Sequence, residues 1–177
     1  MNITIFGGSE ISSDSTPYQE AYELGKLLAQ AGHTVLTGGY MGSMEGVSRG
    51  AHEAGGHVIG VTCADIEAWR GIKVNPWVKE ERRCITLRER LNALIDGCEA
   101  AIALAGGPGT LAEITLTWNL MLIDPNLVKP LILVGPGWRA VFDEFFNAFS
   151  IYMPPAHRDL LKLVPTVEDA VKILETR

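Results

Sequence analysis

Five short apolar runs, at 3–6, 34–37, 58–61, 100–104 and 131–134, constrain this chain more than any other feature. Each is apolar on successive residues and not on alternate ones, so each reads as a strand covered on both faces, and stretches of helical spacing lie between them. Strands buried on both sides and joined by helices make a parallel sheet. The pattern therefore predicts an α/β, Rossmann-like, doubly wound parallel sheet with helices on both faces. A length of 177 residues with 47 % hydrophobic content suits one core, and a single domain over 1–177 is expected.

Punctuation residues place the helices. Thr16-Pro17-Tyr18-Gln19 opens the first, with threonine as the expected N-cap, and Gly32 closes it. A second is expected over 43–54, closed by Gly55-Gly56, and a third over 86–96. A fourth follows Gly109 and carries Glu113, Trp118 and Leu122; a fifth is rich in phenylalanine (Phe142, Phe145, Phe146, Phe149); a last one, capped by Thr166, covers 167–175. Between the third strand and the helix at 86, a stretch of roughly twenty residues holding Trp69, Trp77 and Arg82-Arg83 exceeds the usual connection. It reads as a surface loop or a lid.

Composition excludes several roles. A net charge of −6 offers no basic face to displace counterions, so no nucleic-acid partner is expected. The apolar runs are far too short for a bilayer and Met1-Asn2-Ile3-Thr4-Ile5 is a strand start and not a leader, so no membrane partner and a cytoplasmic location are expected. Cys63, Cys84 and Cys98 lack paired spacing, and His33, His52, His57 and His157 lack ligand spacing. No metal is expected.

Four turns sit at the carboxyl ends of the strands, where such a fold binds its ligand. Gly7-Gly8-Ser9 follows the first run, Gly38-Gly39-Tyr40-Met41-Gly42 the second, Thr62 onward the third, and Gly106-Gly107-Pro108-Gly109-Thr110 the fourth. In the last, glycines let the backbone approach a ligand and a helix start adds partial positive charge, which suits a phosphate. Neither G-x-G-x-x-G after the first strand nor a Gly-Lys-Ser/Thr turn is present, which argues against a dehydrogenase and against an ATPase. Thr110-Leu111-Ala112-Glu113 has an equally simple reading as a capping box, with threonine at N-cap and glutamate at N3. Arg90, on the helix leading into the fourth run, is the candidate cation for a phosphate or ribose; its plain alternative is an exposed arginine paired with a neighbouring glutamate. Tyr40 and Met41 are candidate contacts to a base.

Gly106-Gly107-Pro108-Gly109-Thr110-Leu111-Ala112-Glu113, with Arg90 upstream, resembles the Pro-Gly-Gly-x-Gly-Thr-x-x-Glu signature of the Lonely Guy proteins. Those phosphoribohydrolases release cytokinin bases from their riboside 5′-monophosphates. Phe6-Gly7-Gly8-Ser9, the glycine turn 38–46, Gly55-Gly56-His57-Val58-Ile59-Gly60-Val61 and Pro165-Thr166-Val167-Glu168-Asp169 extend the resemblance over nearly the whole chain. It implies a small-molecule nucleotide or other phosphorylated ligand, phosphate binding at Gly106, Gly107, Gly109 and Thr110, and catalysis by Glu113 and Arg90. It further implies substrate contacts at Gly8, Ser9, Gly39, Tyr40 and Met41, a homodimer and no cofactor. The chemistry is coherent, because cleaving a base from ribose passes through a cation-like sugar that a carboxylate stabilises. Leu91 stands where active members carry lysine, Ala105 replaces the leading proline, and the 38–42 turn is short. In these respects the chain is also similar to the molybdenum-cofactor carrier proteins of the same superfamily, which bind a phosphate-bearing pterin without cleaving it. None of the six lysines sits in a pyridoxal context, so the lysine decarboxylase label often given to this superfamily is not adopted.

Overall fold

The computed structural model describes residues 1–176. Seven strands form one parallel sheet: β1 (Asn2–Phe6), β2 (Thr34–Thr37), β3 (Val58–Cys63), β4 (Glu80–Cys84), β5 (Ala100–Ala103), β6 (Leu131–Val134) and β7 (Leu161–Val164). Their order across the sheet is β4-β3-β2-β1-β5-β6-β7. The chain runs outward one way from β1 and then returns to continue from β5 the other way. The crevice above the carboxyl ends of β1 and β5 is therefore the switch point at which doubly wound sheets take their ligands.

Eight helices join these strands: α1 (Thr16–Gln30), α2 (Ser43–Glu53), α3 (Ala64–Arg70), α4 (Leu87–Asp96), α5 (Pro108–Ile123), α6 (Pro136–Ala148), α7 (Pro155–Arg158) and α8 (Val167–Glu175). Successive strand residues point to opposite faces, so the sheet builds two cores. On one face Ile3, Ile5, Ile102, Ile132 and Val134 meet Leu24, Leu28, Val47 and Val171 of α1, α2 and α8. On the other, Phe6, Ala101, Ala103, Leu131 and Leu133 meet Leu94, Ile114, Trp118, Phe142 and Phe146 of α4, α5 and α6. The expected α/β fold with both faces covered is the fold adopted, and the phenylalanine-rich stretch divides: Phe142 and Phe146 are buried, Phe145 and Phe149 exposed.

Four local expectations are corrected. The long connection after β3 is neither loop nor lid alone; it contains α3 and a strand, β4, paired in register with β3 from Ile59↔Glu80 to Cys63↔Cys84. A second unexpected strand, β7, pairs with β6 where the five apolar runs predicted no strand. The N-cap of α1 is Ser15 and not Thr16, its hydroxyl accepting from the Tyr18 amide at 3.3 Å. The N-cap of α5 is Gly107 and not Thr110.

Candidate active site

The start of α5 decides what the 106–110 turn can do. Gly107 is extended at the N-cap, Pro108 occupies the first helical position with its preset φ, and Thr110 falls at the third. The capping-box reading of Thr110 and Glu113 thereby fails: Glu113 lies six residues into the helix, too far to reach the N-cap amide. No side chain caps α5 and no acidic residue sits in its first turn. The amides of Gly107, Gly109 and Thr110 donate to no other group among the described residues, the first bond of the helix being Leu111 N to Gly107 O at 3.0 Å. Gly107 and Gly109 face open space. A helix start with unpaired amides, no side-chain cap and no acidic residue in its first turn is an anion cradle in form. Gly106 has a different reason to be glycine, since a Cβ there would lie 2.2 Å from Oγ1 of Thr110.

α2 shows the contrast. It also begins at a glycine turn, with Gly42 in the left-handed region, yet Glu45 stands in its first turn and the Ser43 amide donates to Gly8 O at 2.9 Å. That bond ties the first two turns together. Gly8 in turn donates its amide to Ala105 O at 3.1 Å, so the turns after β1, β2 and β5 form one connected rim. Ser9 is partly exposed on that rim, Met41 is exposed, and Gly39, at φ 76°, is buried.

Glu113 projects from α5 beneath this rim and is only 8 % exposed. Burial disfavours its charged form and pushes its pKa up from 4.5 to about 7, with the positive charge of Arg90 opposing the shift. Arg90 projects from α4 and is 5 % exposed. Its Nε donates to Val61 O within β3 at 2.7 Å, and Nη2 lies 3.7 Å from Sδ of Met44. Neither Arg90 nor Glu113 belongs to any ion pair among the described residues. The alternative of an exposed, carboxylate-paired Arg90 does not hold. The guanidinium has room because Gly38 lacks a side chain, a Cβ there lying 1.7 Å from Nη2.

Tyr40 is placed differently from a base contact. It is 2 % exposed, its hydroxyl accepts from the Cys63 amide at 2.8 Å and bonds Cys63 O at 3.1 Å, and its ring centroid lies 5.6 Å from the Arg90 guanidinium carbon. The phenol anchors in the β3–α3 junction, and the ring face supports the cation from behind. Asn75, which the sequence did not single out, holds this turn by donating to Tyr40 O at 2.9 Å and accepting from the Trp77 amide at 3.2 Å. Arg70 was also missed. Its Nη1 donates to Oγ of Ser9 at 2.8 Å and Nη2 pairs with Glu10 at 3.1 Å.

A cavity of about 380 Å³ adjoins the turn on its β6 side, lined by Gly106, Gly135, Trp138, Val141 and Pro165 among others, with Glu20 at its wall. Arg90 and Glu113 are not among its lining residues. Among the described residues no group of His, Cys, Asp and Glu could hold a metal ion, and no helix is long and apolar enough to cross a membrane.

Residues 1–123 match the model of the SLOG cluster4 family. The chain is 36 % identical over 181 residues to the cytokinin riboside 5′-monophosphate phosphoribohydrolase LOG of Oryza sativa subsp. japonica, covering 98 % of this chain and 72 % of that one. It is 29 % identical to LOG3 of Arabidopsis thaliana, of the same activity by name, with 98 % and 81 % covered. Among solved structures, the molybdenum cofactor binding protein from Rippkaea orientalis superposes with a TM-score of 0.78 at 25 % identity, over 99 % of this chain and 95 % of that one.

Proposed function

This chain belongs to the SLOG cluster4 family, and on that footing we propose that it is a phosphoribohydrolase. It cleaves the N-glycosidic bond of a nucleoside 5′-monophosphate, AMP or an N6-substituted AMP, to the free base and ribose 5-phosphate. The observation that carries the reading is a buried carboxyl and a buried guanidinium, Glu113 and Arg90, neither ion-paired among the described residues, behind an uncapped helix start.

In this reading the 5′-phosphate lies on the amides of Gly107, Gly109 and Thr110, with the Thr110 hydroxyl beside it and Gly106 shaping the turn. Gly8, Ser9, Gly39 and Met41 border the rest of the nucleotide. As the C1′–N bond breaks, positive charge grows on the ribose ring, and the Glu113 carboxylate stabilises it and orients the attacking water. The water oxygen bonds to C1′, one water proton ends on the released base, and the other stays on the new hydroxyl. Arg90, fixed by Val61 O and Tyr40, supplies positive charge to a ribose or phosphate oxygen. A carboxyl with a pKa of about 7 is ionised in a large fraction at neutral pH and can exchange a proton there.

The protein works as a homodimer in the cytoplasm. Leu87 on α4 and Leu111 on α5, both exposed, supply apolar surface on the two helices that carry Arg90 and Glu113. A second reading, a carrier that binds a phosphorylated pterin such as the molybdenum cofactor without cleaving it, draws on the TM-score of 0.78 to the Rippkaea protein. Incubation of the purified protein with AMP and N6-substituted AMP separates the two. Release of free base and ribose 5-phosphate is expected; intact nucleotide after prolonged incubation overturns the hydrolase reading.

A further inference from the structure

Arg90 alone does not balance the charge of a bound nucleotide. A phosphate monoester carries a charge of about −1.5 to −2 at neutral pH, Glu113 adds negative charge as it ionises, and Arg90 spends one of its donors on Val61 O. Among the described residues one other cation is hydrogen-bonded into the rim. Arg70, the last residue of α3, reaches across to the turn after β1, where Nη1 meets Oγ of Ser9 at 2.8 Å and Nη2 meets Glu10 at 3.1 Å. Ser9 adjoins Gly8, whose amide is bonded to Ala105 O immediately before the phosphate turn, and a Cβ on Gly8 would stand 3.4 Å from Cα of Gly106.

We propose that Arg70 is a substrate-binding residue that clamps the 5′-phosphate of the nucleotide from the side opposite the start of α5. The proposal rests on the nucleotide reading of the preceding subsection. Three observations support it. The partner to be given up, Glu10, is 83 % exposed on its side chain, and an exposed ion pair of that kind contributes little. The element that carries Arg70 is loosely seated: no residue of α3 is buried, and the helix ends at Gly71 with φ 64°. It is moored through Glu67 to Arg83 and, at 3.5 Å, to the Tyr40 hydroxyl, and through Asp65, which accepts from the Leu87 amide at 3.0 Å and donates its own amide to Ile85 O at 3.3 Å. A small shift of α3 therefore moves the guanidinium without opening either core. Arg70 also stacks on Trp69, its guanidinium carbon 4.6 Å from the ring centroid, and Trp69 is exposed. Movement of the arginine toward a ligand uncovers that ring, so the site carries its own fluorescent reporter.

The test compares binding of AMP, adenosine and inorganic phosphate to wild type, R70A and R70K by calorimetry, with Trp69 emission followed in parallel and W69F identifying the signal. R70A is expected to bind AMP at least about tenfold more weakly, as loss of a charge-assisted contact requires, while adenosine binding is unchanged and R70K recovers part of the loss. In turnover the effect falls on KM and not on kcat. Equal losses for AMP and adenosine, or wild-type AMP affinity in R70A, overturn the assignment. Wild type that binds AMP with Arg70-dependent affinity but never cleaves it overturns the hydrolase reading alone; wild type that binds neither AMP nor phosphate overturns both.

Discussion

Two stretches of this chain carry the same pattern, threonine followed three residues later by glutamate at the start of a helix, and they end in different places. At α4, Thr86 is the N-cap; its Oγ1 accepts from the Glu89 amide at 3.2 Å, and Glu89 Oε2 accepts from the Thr86 and Ile85 amides at 3.2 and 2.9 Å. Glu89 is exposed and its work is finished within its own helix. At α5, Gly107 and Pro108 start the helix three residues earlier, so Thr110 and Glu113 are carried inside it and the glutamate is buried near Arg90. What distinguishes an exposed cap from a buried carboxyl is therefore not the motif but the Gly-Pro pair ahead of it. A proline that must sit in the first turn fixes the frame, and the frame fixes which way the carboxyl points.

Exchanging the two glutamates for glutamine separates them most strongly. E113Q is expected to lower kcat for AMP cleavage by about two to four orders of magnitude, whereas E89Q leaves turnover near wild type; base release measured on both variants checks this. G38A probes the support of the pair. A Cβ 1.7 Å from Nη2 of Arg90 must displace the guanidinium, and kcat/KM is expected to fall on the order of a hundredfold, with an R90K variant showing a comparable loss.

The pH dependence of stability differs next. Folding raises the Glu113 pKa from 4.5 to about 7, so the folded chain holds that proton more tightly than the unfolded one. For this group, stability is greatest below pH 4.5, declines as pH rises from 4.5 to 7, and has lost roughly 3 kcal/mol above 7. E113Q lacks this loss, so its stability relative to wild type should climb between pH 4.5 and 7.5 in denaturant titrations at a series of pH values. T86A is the smallest change. Losing the cap costs about 1 kcal/mol, seen as a fall in Tm of about 2–4 °C, with AMP turnover retained.

Much of this was legible in the sequence because five strands are covered on both faces and so have no polar residue pattern to obscure them. β4 was hidden for the opposite reason. Glu80-Glu81-Arg82-Arg83-Cys84 is an edge strand paired on one side only, with Glu81, Arg82 and Arg83 exposed, so nothing in it forms an apolar run. β7, Leu161-Lys162-Leu163-Val164, is the other edge. At the site, the glycines, Arg90 and Glu113 announced themselves by local motif. Tyr40 stood as a candidate base contact beside glycine, but its hydroxyl is held inside by the Cys63 backbone, 23 residues away. Arg70 meets Ser9 across 61 residues of sequence, a contact that no motif encodes.

The difference between the two glutamates comes down to the titration of one carboxyl. Following the side-chain carboxyl carbon of Glu113 by carbon NMR from pH 4 to 9, assigned by its absence in E113Q, reads that group alone. A midpoint near 7 is the result expected of a buried carboxyl facing Arg90. A midpoint in the ordinary range near 4.5 would mean that Glu113 is solvated like a surface glutamate, and would contradict its separation from Glu89.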